Sequence, residues 1–289
     1  MPVSSQPLFR GRGRMSIANR GLIYRFAYVS AVTLGGISVR PLPAGGSMRL
    51  LRRTRSVLLG PAVLAAAALS ATPALAAGPE GPRGHDVSAH QEKVNFADAR
   101  AKGARFTYVK ATESTTYRSP VFRKQYDDAA KAGLLRGAYH FALPDRSSGA
   151  DQAAYFVRNG GDWRPDGRTL PPALDLEANP YNTQHKCYGI SKQRMRAWIS
   201  DFSDETLRLT GRRPMIYTSA HWWNTCTGRS TAFADTHPLW LANWADSPGQ
   251  LPAGWAYWTL WQYAVKGPLP GDQNVFNGSQ GDLERFTDG

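Results

Sequence analysis

From residue 84 onward, short apolar runs alternate with longer stretches in which apolar residues recur every three or four positions. The first pattern predicts strands and the second predicts amphipathic helices. Strands are expected over 84–88, 106–111, 135–142, 172–177 and 215–218, with helices between them over 95–103, 119–132, 149–159 and 191–210. Asn95 suits an N-cap, Ser119-Pro120 a helix start, and Gly133, Gly160-Gly161 and Gly211 suit stops. Past residue 218 the pattern changes: 239–242, 257–263 and a segment near Val275-Phe276 read as strands with little helix between.

Repeated strand–helix pairs argue for a parallel sheet. Eight strands within about 200 residues argue for closure into a barrel whose last helices are missing. No internal repeat is evident, and no second module is expected after the last strand. In parallel barrels, reacting side chains gather at the C-terminal ends of the strands, so carboxylates there are the first candidates.

Ala173-Leu174-Asp175-Leu176-Glu177 carries two of them. Side chains alternate across a strand, so Leu174 and Leu176 should face the helices while Ala173, Asp175 and Glu177 face the barrel interior. Two acids on one inward face are costly unless paired or used. Their repulsion raises one pKa and leaves a protonated acid beside an ionised base, the division of labour that glycoside hydrolysis requires. A solvated strand end or a pair of metal ligands would carry the same pattern. Asp86, near the end of the first strand, and Asp272, leading into the last, strengthen the catalytic reading. Barrel closure makes those two strands neighbours, so four carboxyls would surround one opening.

In chain order stand Gly84-His85-Asp86-Val87-Ser88, Tyr108-Val109-Lys110-Ala111-Thr112-Glu113, Gly137-Ala138-Tyr139-His140-Phe141, Leu174-Asp175-Leu176-Glu177, Ile216-Tyr217-Thr218, Leu239-Trp240-Leu241-Ala242, Trp261-Gln262-Tyr263 and Asp272-Gln273-Asn274. Each motif is weak alone. Together, in this order and spacing, they resemble glycoside hydrolase family 25, the Chalaropsis-type lysozymes, over nearly all of 84–285. The resemblance implies an α/β fold, a modified TIM-like barrel with five βα units followed by three strands lacking full helices. It implies cleavage of the β-1,4 bonds between N-acetylmuramic acid and N-acetylglucosamine in peptidoglycan. Glu177 would be the general acid/base. Asp175 would orient and polarise the substrate's 2-acetamido group where that group is the internal nucleophile; a carboxylate nucleophile or an inverting water stays open. Asp86 and Asp272 would tune charge and hold the sugar, and Tyr139, Tyr217, Trp240 and Gln262 would contact substrate. Gln273 departs from the family pattern, where many relatives carry an apolar residue. No metal or cofactor is expected. The expected partner is the peptidoglycan glycan strand, met by a monomer.

Residues 48–76 read as a leader. Met48 to Arg55 is basic, Val57 to Leu69 is apolar, and Ala74-Leu75-Ala76 supplies small residues for cleavage, the order of a secretory signal peptide. The apolar run of 13 residues is short of the roughly 20 that a membrane-spanning helix needs. No stable membrane anchor is therefore expected after cleavage, and the product should be extracellular and associated with the cell wall. Arg52-Arg53 also permits a twin-arginine route. Residues 1–47 read as a mis-assigned start upstream of Met48 or as a basic tail, 77–83 as a linker, and 84–289 as the catalytic domain.

The leader alters the charge argument. A formal net charge of +13 suggests nucleic acid. Residues 1–76, however, hold 10 of the 35 Lys+Arg and none of the 22 Asp+Glu, which leaves +3 for the remainder. That value suits an anionic cell wall better than nucleic acid. Both cysteines, Cys187 and Cys226, lie beyond the leader, and in an exported chain an even pair reads as a disulfide; two buried thiols are the alternative.

All nine Trp lie beyond residue 76, as sugar-binding walls or as core. Trp198, on the long helix, reads as core. His85 and His140 read as structural, and His90, His185, His221 and His237 lack metal-ligand spacing. Lys110 reads as a buried charge partner of a cleft carboxylate. There is no nucleophile elbow and no phosphate-cradling glycine loop. A chitinase-like strand would need acids two, four and seven residues before the catalytic Glu, where this chain has Asp175, Ala173 and Leu170. A wall-binding protein with a dead cleft is the rival of another class, and the intact carboxylate set argues against it.

Overall fold

The computed structural model describes residues 79–288, so the extension and leader expected over 1–76 lie outside the described residues. One sheet is built from β1 (Arg83–Val87), β2 (Ala104–Glu113), β3 (Tyr117–Arg118), β4 (Leu135–Phe141), β5 (Ala173–Asp175), β6 (Met215–Thr218), β7 (Leu239–Ala242), β8 (Leu260–Ala264) and β9 (Asp272–Phe276). All but β3 form a closed barrel. Neighbours from β1 through β8 run parallel, while β9 lies antiparallel to both β8 and β1 and closes the ring. The strand β3 is a short antiparallel return on the end of β2.

Helices α1 (Phe96–Ala101), α2 (Phe122–Lys131), α3 (Gly149–Phe156), α4 (Lys192–Thr210) and α5 (Ala220–Cys226) make five βα units, and α6 (Gln280–Arg285) ends the chain. This is the modified TIM-like barrel that the resemblance implied. Asn95 caps α1 through a bond from the Asp98 amide, as its sequence position suggested. Ser191 caps α4, and Gly211 ends it at φ 78°, a left-handed conformation that suits glycine.

Several elements depart from the sequence pattern. Helix α2 begins at Phe122, not at residue 119: residues 120–121 form a turn, with the Phe122 amide donating to the Ser119 carbonyl at 3.3 Å. Strand β8 begins at Leu260, since the preceding residues turn around Trp255, whose indole donates to the His237 carbonyl. Helix α5, seven residues long, offers too few turns for a period to show. Helix α6, six residues long, is shorter still and opens on a capping box of Ser279 and Asp282.

Two apolar layers position the site. Phe106 and Tyr108 of β2, Ala173 of β5, Met215 and Tyr217 of β6, Trp240 of β7, Leu260 of β8 and Phe276 of β9 fill the barrel. Val109, Leu174, Ile216, Leu241 and Trp261, alternating with them, pack outward with Phe156, Trp198, Ile199 and Phe202 of the helices. The large rings on β2 fit because their neighbours are glycines: a Cβ on Gly137 would lie 2.2 Å from the Tyr108 ring, and one on Gly84 would lie 2.5 Å from Phe106. Trp198 is core, with its indole donating to the Ser147 carbonyl at 2.8 Å.

Cys187 and Cys226 form a disulfide, with Cα atoms 5.3 Å apart, tying the loop before α4 to the last turn of α5. Among the described residues, no helix is long and apolar enough to cross a membrane.

Candidate active site

The antiparallel closure sets Asp86 of β1 directly opposite Asp272 of β9. Gln262 of β8 bridges them: its Nε2 donates to Asp86 Oδ2 at 2.9 Å and to Asp272 Oδ2 at 3.4 Å. Asn274 adds a donor to Asp86 Oδ2 at 2.7 Å. Gln262 is held in turn by Tyr217, whose hydroxyl donates to its Oε1 at 2.9 Å. Tyr217 is the register partner of Asp175 on β5. A chain of contacts therefore runs around the mouth from Asp175 to Asp86.

All four carboxyls titrate above the usual carboxylate range. Burial pushes Asp86 up to about 8, aided by the charge of Asp272 and opposed by the donors Asn274 and Gln262. Burial pushes Glu177 up to about 7, with Lys110 pulling the other way and Asp272 and Glu113 adding to the rise. Asp272 rises to about 6, also through burial. Asp175 is driven up by burial and then by Glu177, with Lys110 opposing. The mutual effects show that the two strand pairs share one electrostatic environment. Like charges cannot both ionise cheaply, so the Glu177 charge adds to burial in favouring the protonated form of Asp175.

The two acids of β5 differ in surroundings. Asp175 is buried, with Oδ1 enclosed and without a hydrogen-bond partner. Glu177 is partly exposed just past the strand end and makes no side-chain hydrogen bond among the described residues. A carboxyl that is reachable, unpaired and half protonated near neutral pH can give and take a proton.

Lys110 is the charge partner that its position in β2 suggested, and its carboxylate is Glu113, at 2.6 Å. Sequence reasoning gave Glu113 no role. Strict alternation places Lys110 inward and Glu113 outward, but β2 slips by one residue between Lys110 and Thr112. That bulge sends Thr112 outward, where it bonds His140 at 2.8 Å, and returns Glu113 to the mouth.

The aromatic residues also divide. Trp240 is 2% exposed, so it lies beneath the cleft as a floor. Its indole donates to Asn274 Oδ1 at 2.7 Å, and it packs against Tyr108, Tyr139 and Tyr217. Gln262 and Tyr217 are likewise buried, Gln262 donating to Asp86 and Tyr217 to Gln262, while Tyr139 is partly exposed. The open aromatic walls are two residues that the sequence did not single out. Trp244, 61% exposed, donates to Gln262 Oε1 at 2.8 Å. Tyr181, 62% exposed, donates its hydroxyl to Glu113. Both lie on loops past a strand end, beyond the reach of strand periodicity. His85 and His140 face outward and are buried; burial lowers them to about 4 and about 3, which keeps them neutral and structural. Gln273 faces outward too, bonding the Leu269 and Gly271 carbonyls, away from the chemistry.

A closed barrel with several buried acids at one mouth and aromatic rings at its rim is the architecture of a glycoside hydrolase. The model of glycosyl hydrolases family 25 matches residues 85–272, and the chain belongs to that family. It is 49% identical over 207 residues to the N,O-diacetylmuramidase of Arthroderma benhamiae, covering 72% of this chain and 87% of that one. It is 47% identical over 211 residues to the N,O-diacetylmuramidase of a Chalaropsis species, covering 72% and 99%. The solved structure of a family 25 lysozyme from Aspergillus fumigatus superposes with a TM-score of 0.71 at 49% identity, covering 73% of this chain and all of that one.

The raised carboxyls have a consequence for stability. The folded chain keeps protons that the unfolded chain releases above about pH 4. Stability from this source is complete below that pH and is lost as pH rises through about 6 to about 8. Asp86→Asn removes one contributor and leaves an amide oxygen for Asn274 and Gln262 to donate to. Thermal unfolding should show the variant more stable than the parent at pH 8 by on the order of 1–2 kcal/mol, with the gap closing toward pH 4. A variant equally stable, or less stable, at pH 8 would mean that Asp86 is not a strained charge.

Proposed function

We propose that this chain is a secreted muramidase that hydrolyses the β-1,4 bond between N-acetylmuramic acid and N-acetylglucosamine in peptidoglycan. The observation that carries the reading is Glu177: an unpaired, reachable carboxyl held near neutrality, two residues from a second acid. In the first step the Glu177 carboxyl protonates the glycosidic oxygen as the bond from that oxygen to the anomeric carbon breaks. Asp175, ionised, accepts the N–H of the 2-acetamido group, whose carbonyl oxygen bonds to the anomeric carbon. In the second step water attacks that carbon, Glu177 takes the water's proton, and the acetamido group is released. Asp86 and Asp272, clamped by Gln262, hold the sugar, and Asp272, the more acidic of the two, keeps negative charge against the developing cation. Tyr139, Trp244 and Tyr181 offer apolar faces for sugar rings, and Trp240 and Tyr217 support them from below. The names of the two N,O-diacetylmuramidases extend the substrate class to muramic acid that also carries an O-acetyl group.

Secretion belongs to the same proposal. The leader order over 48–76 supports it, and so does the Cys187–Cys226 bond, since such bonds persist in oxidising compartments. N-terminal sequencing of the protein recovered from culture medium tests it, with Ala77 the expected first residue. For the activity, the purified protein is mixed with cell walls and both turbidity and new reducing ends are followed. Falling turbidity with muramic acid at the new reducing ends is expected. New amino termini without reducing ends would indicate a peptidase, and binding without clearance a dead cleft.

A further inference from the structure

The buried Gln262 amide meets four groups at once. Its Nε2 donates to Asp86 Oδ2 at 2.9 Å and to Asp272 Oδ2 at 3.4 Å, while its Oε1 accepts from the Tyr217 hydroxyl at 2.9 Å and from the Trp244 indole at 2.8 Å. The two ends of an amide are alike in shape, so its partners decide which end faces which way. A tyrosine hydroxyl both donates and accepts, and it tolerates either orientation. A carboxyl does the same, accepting when ionised and donating when protonated. An indole N–H only donates. Of the four partners, Trp244 is therefore the one that forces Oε1 toward the rim and turns the NH2 group onto the two acids.

The loop past β7 holds that indole in place. The Asn243 amide donates to the Gln262 carbonyl at 3.2 Å, and the Trp261 indole donates to the Asn243 carbonyl at 2.7 Å. The Asn243 side chain ties the loop to the carbonyls of Ser247 and Pro248. The same device recurs beside it. Trp240 donates to Asn274 Oδ1 at 2.7 Å, and Asn274 Nδ2 in turn donates to Asp86 Oδ2 at 2.7 Å. Two indoles thus orient two amides onto one carboxyl. Trp240 is buried, whereas Trp244 stands open on the rim.

We propose that Trp244, beyond offering a ring to the sugar, is a positioning residue for the Asp86–Asp272 pair: by locking the Gln262 amide it holds an N–H against both carboxyls and favours negative charge on the pair. Burial opposes ionisation at both positions, and a hydrogen bond donated to the ionised form offsets it. An unlocked amide would follow the acids instead. It would turn its oxygen to a protonated carboxyl and stabilise the form that carries no charge against the developing cation.

The inference rests on the proposed hydrolysis, and Trp244→Phe tests it, since a ring remains for the sugar while the indole N–H is lost. With soluble peptidoglycan glycan chains as substrate, kcat and KM of the full protein are measured from pH 4 to pH 8. The acid limb of kcat should move up by about half a pH unit, with kcat on that limb falling roughly three-fold. KM should stay within about two-fold, and Tm within about two degrees, because the side chain is exposed. In a Gln262→Leu background the limb should already be displaced, and Trp244→Phe should move it no further, since residues acting through one another are not additive. Additive displacements overturn the proposal. So does an unmoved limb, whether KM rises, as a sugar contact alone would make it, or Tm falls, as a structural role would. NMR titration of the Asp86 and Asp272 carboxyl carbons without substrate should show the same upward movement in Trp244→Phe, and superimposable titrations overturn the proposal. An active Glu177→Gln would defeat the hydrolytic reading and leave that titration standing.

Discussion

Glu177→Gln is expected to lower the rate of cell-wall hydrolysis by about three orders of magnitude while the barrel stays folded. The substitution keeps shape and volume, and Glu177 makes no side-chain hydrogen bond among the described residues, so no structural contact is broken. What disappears is the proton. An amide can neither protonate the leaving oxygen nor deprotonate water, so both proposed steps fail. The change also removes an acid whose charge bears on its neighbours: Glu177 lifts both Asp175 and Asp86. Its loss relaxes that repulsion, so Tm at pH 8 should not fall. Release of reducing ends, thermal unfolding and binding to glycan chains together check the prediction. Retained hydrolysis would remove Glu177 from the mechanism, and a collapsed Tm would leave the activity loss uninformative about proton transfer.

Replacing both Cys187 and Cys226 with Ser should cost about 4 kcal/mol of stability in the chain-entropy description. The bond closes a loop of sequence separation 39, and that loop contains α4, the longest helix of the structure. Freeing it enlarges the unfolded ensemble while the packing of Met195, Trp198, Ile199 and Phe202 stays in place. For a domain of this size the loss corresponds to a Tm lower by roughly 8–16 °C. Calorimetry of the parent with and without reductant should reproduce the shift. A change of only a degree or two would mean that the loop is already ordered in the unfolded chain.

Strand and helix periodicity was readable wherever an element was long. Helix α4 shows it best: its buried positions recur through Met195, Trp198, Ile199, Phe202 and Thr206, and Ser191 and Gly211 mark its ends. Short elements were not readable. Helix α5 has two turns and buries adjacent Trp222 and Trp223, so no periodic stripe forms. Ser119-Pro120 has the composition of a helix start, but a turn at 120–121 precedes α2, which begins at Phe122.

The candidate site divides along the same line. Asp175 and Glu177 were readable because alternation is local: two residues apart on a strand is one face, whatever surrounds it. Asp86 and Asp272 became neighbours only through closure, an inference from strand count that the β1–β9 pairing bears out. Glu113 escaped because one extra residue in β2 reverses the alternation, and a bulge leaves no mark in composition. Trp240 and Trp244 could not be told apart in the chain. One became floor and the other rim because one lies on the inward face of β7 and the other just past its end.

The chain alone therefore determined the secondary-structure period, the layer that strand residues face where no bulge intervenes, and the pair of acids on β5. These follow from the geometry of neighbouring residues. The tertiary structure alone decided which distant groups share a field, which hydroxyls are left without partners, and which rings remain open to a sugar. Those properties depend on solvent exclusion and on contacts between residues far apart in sequence, such as the bond from Gln262 to Asp86, and no local pattern encodes them.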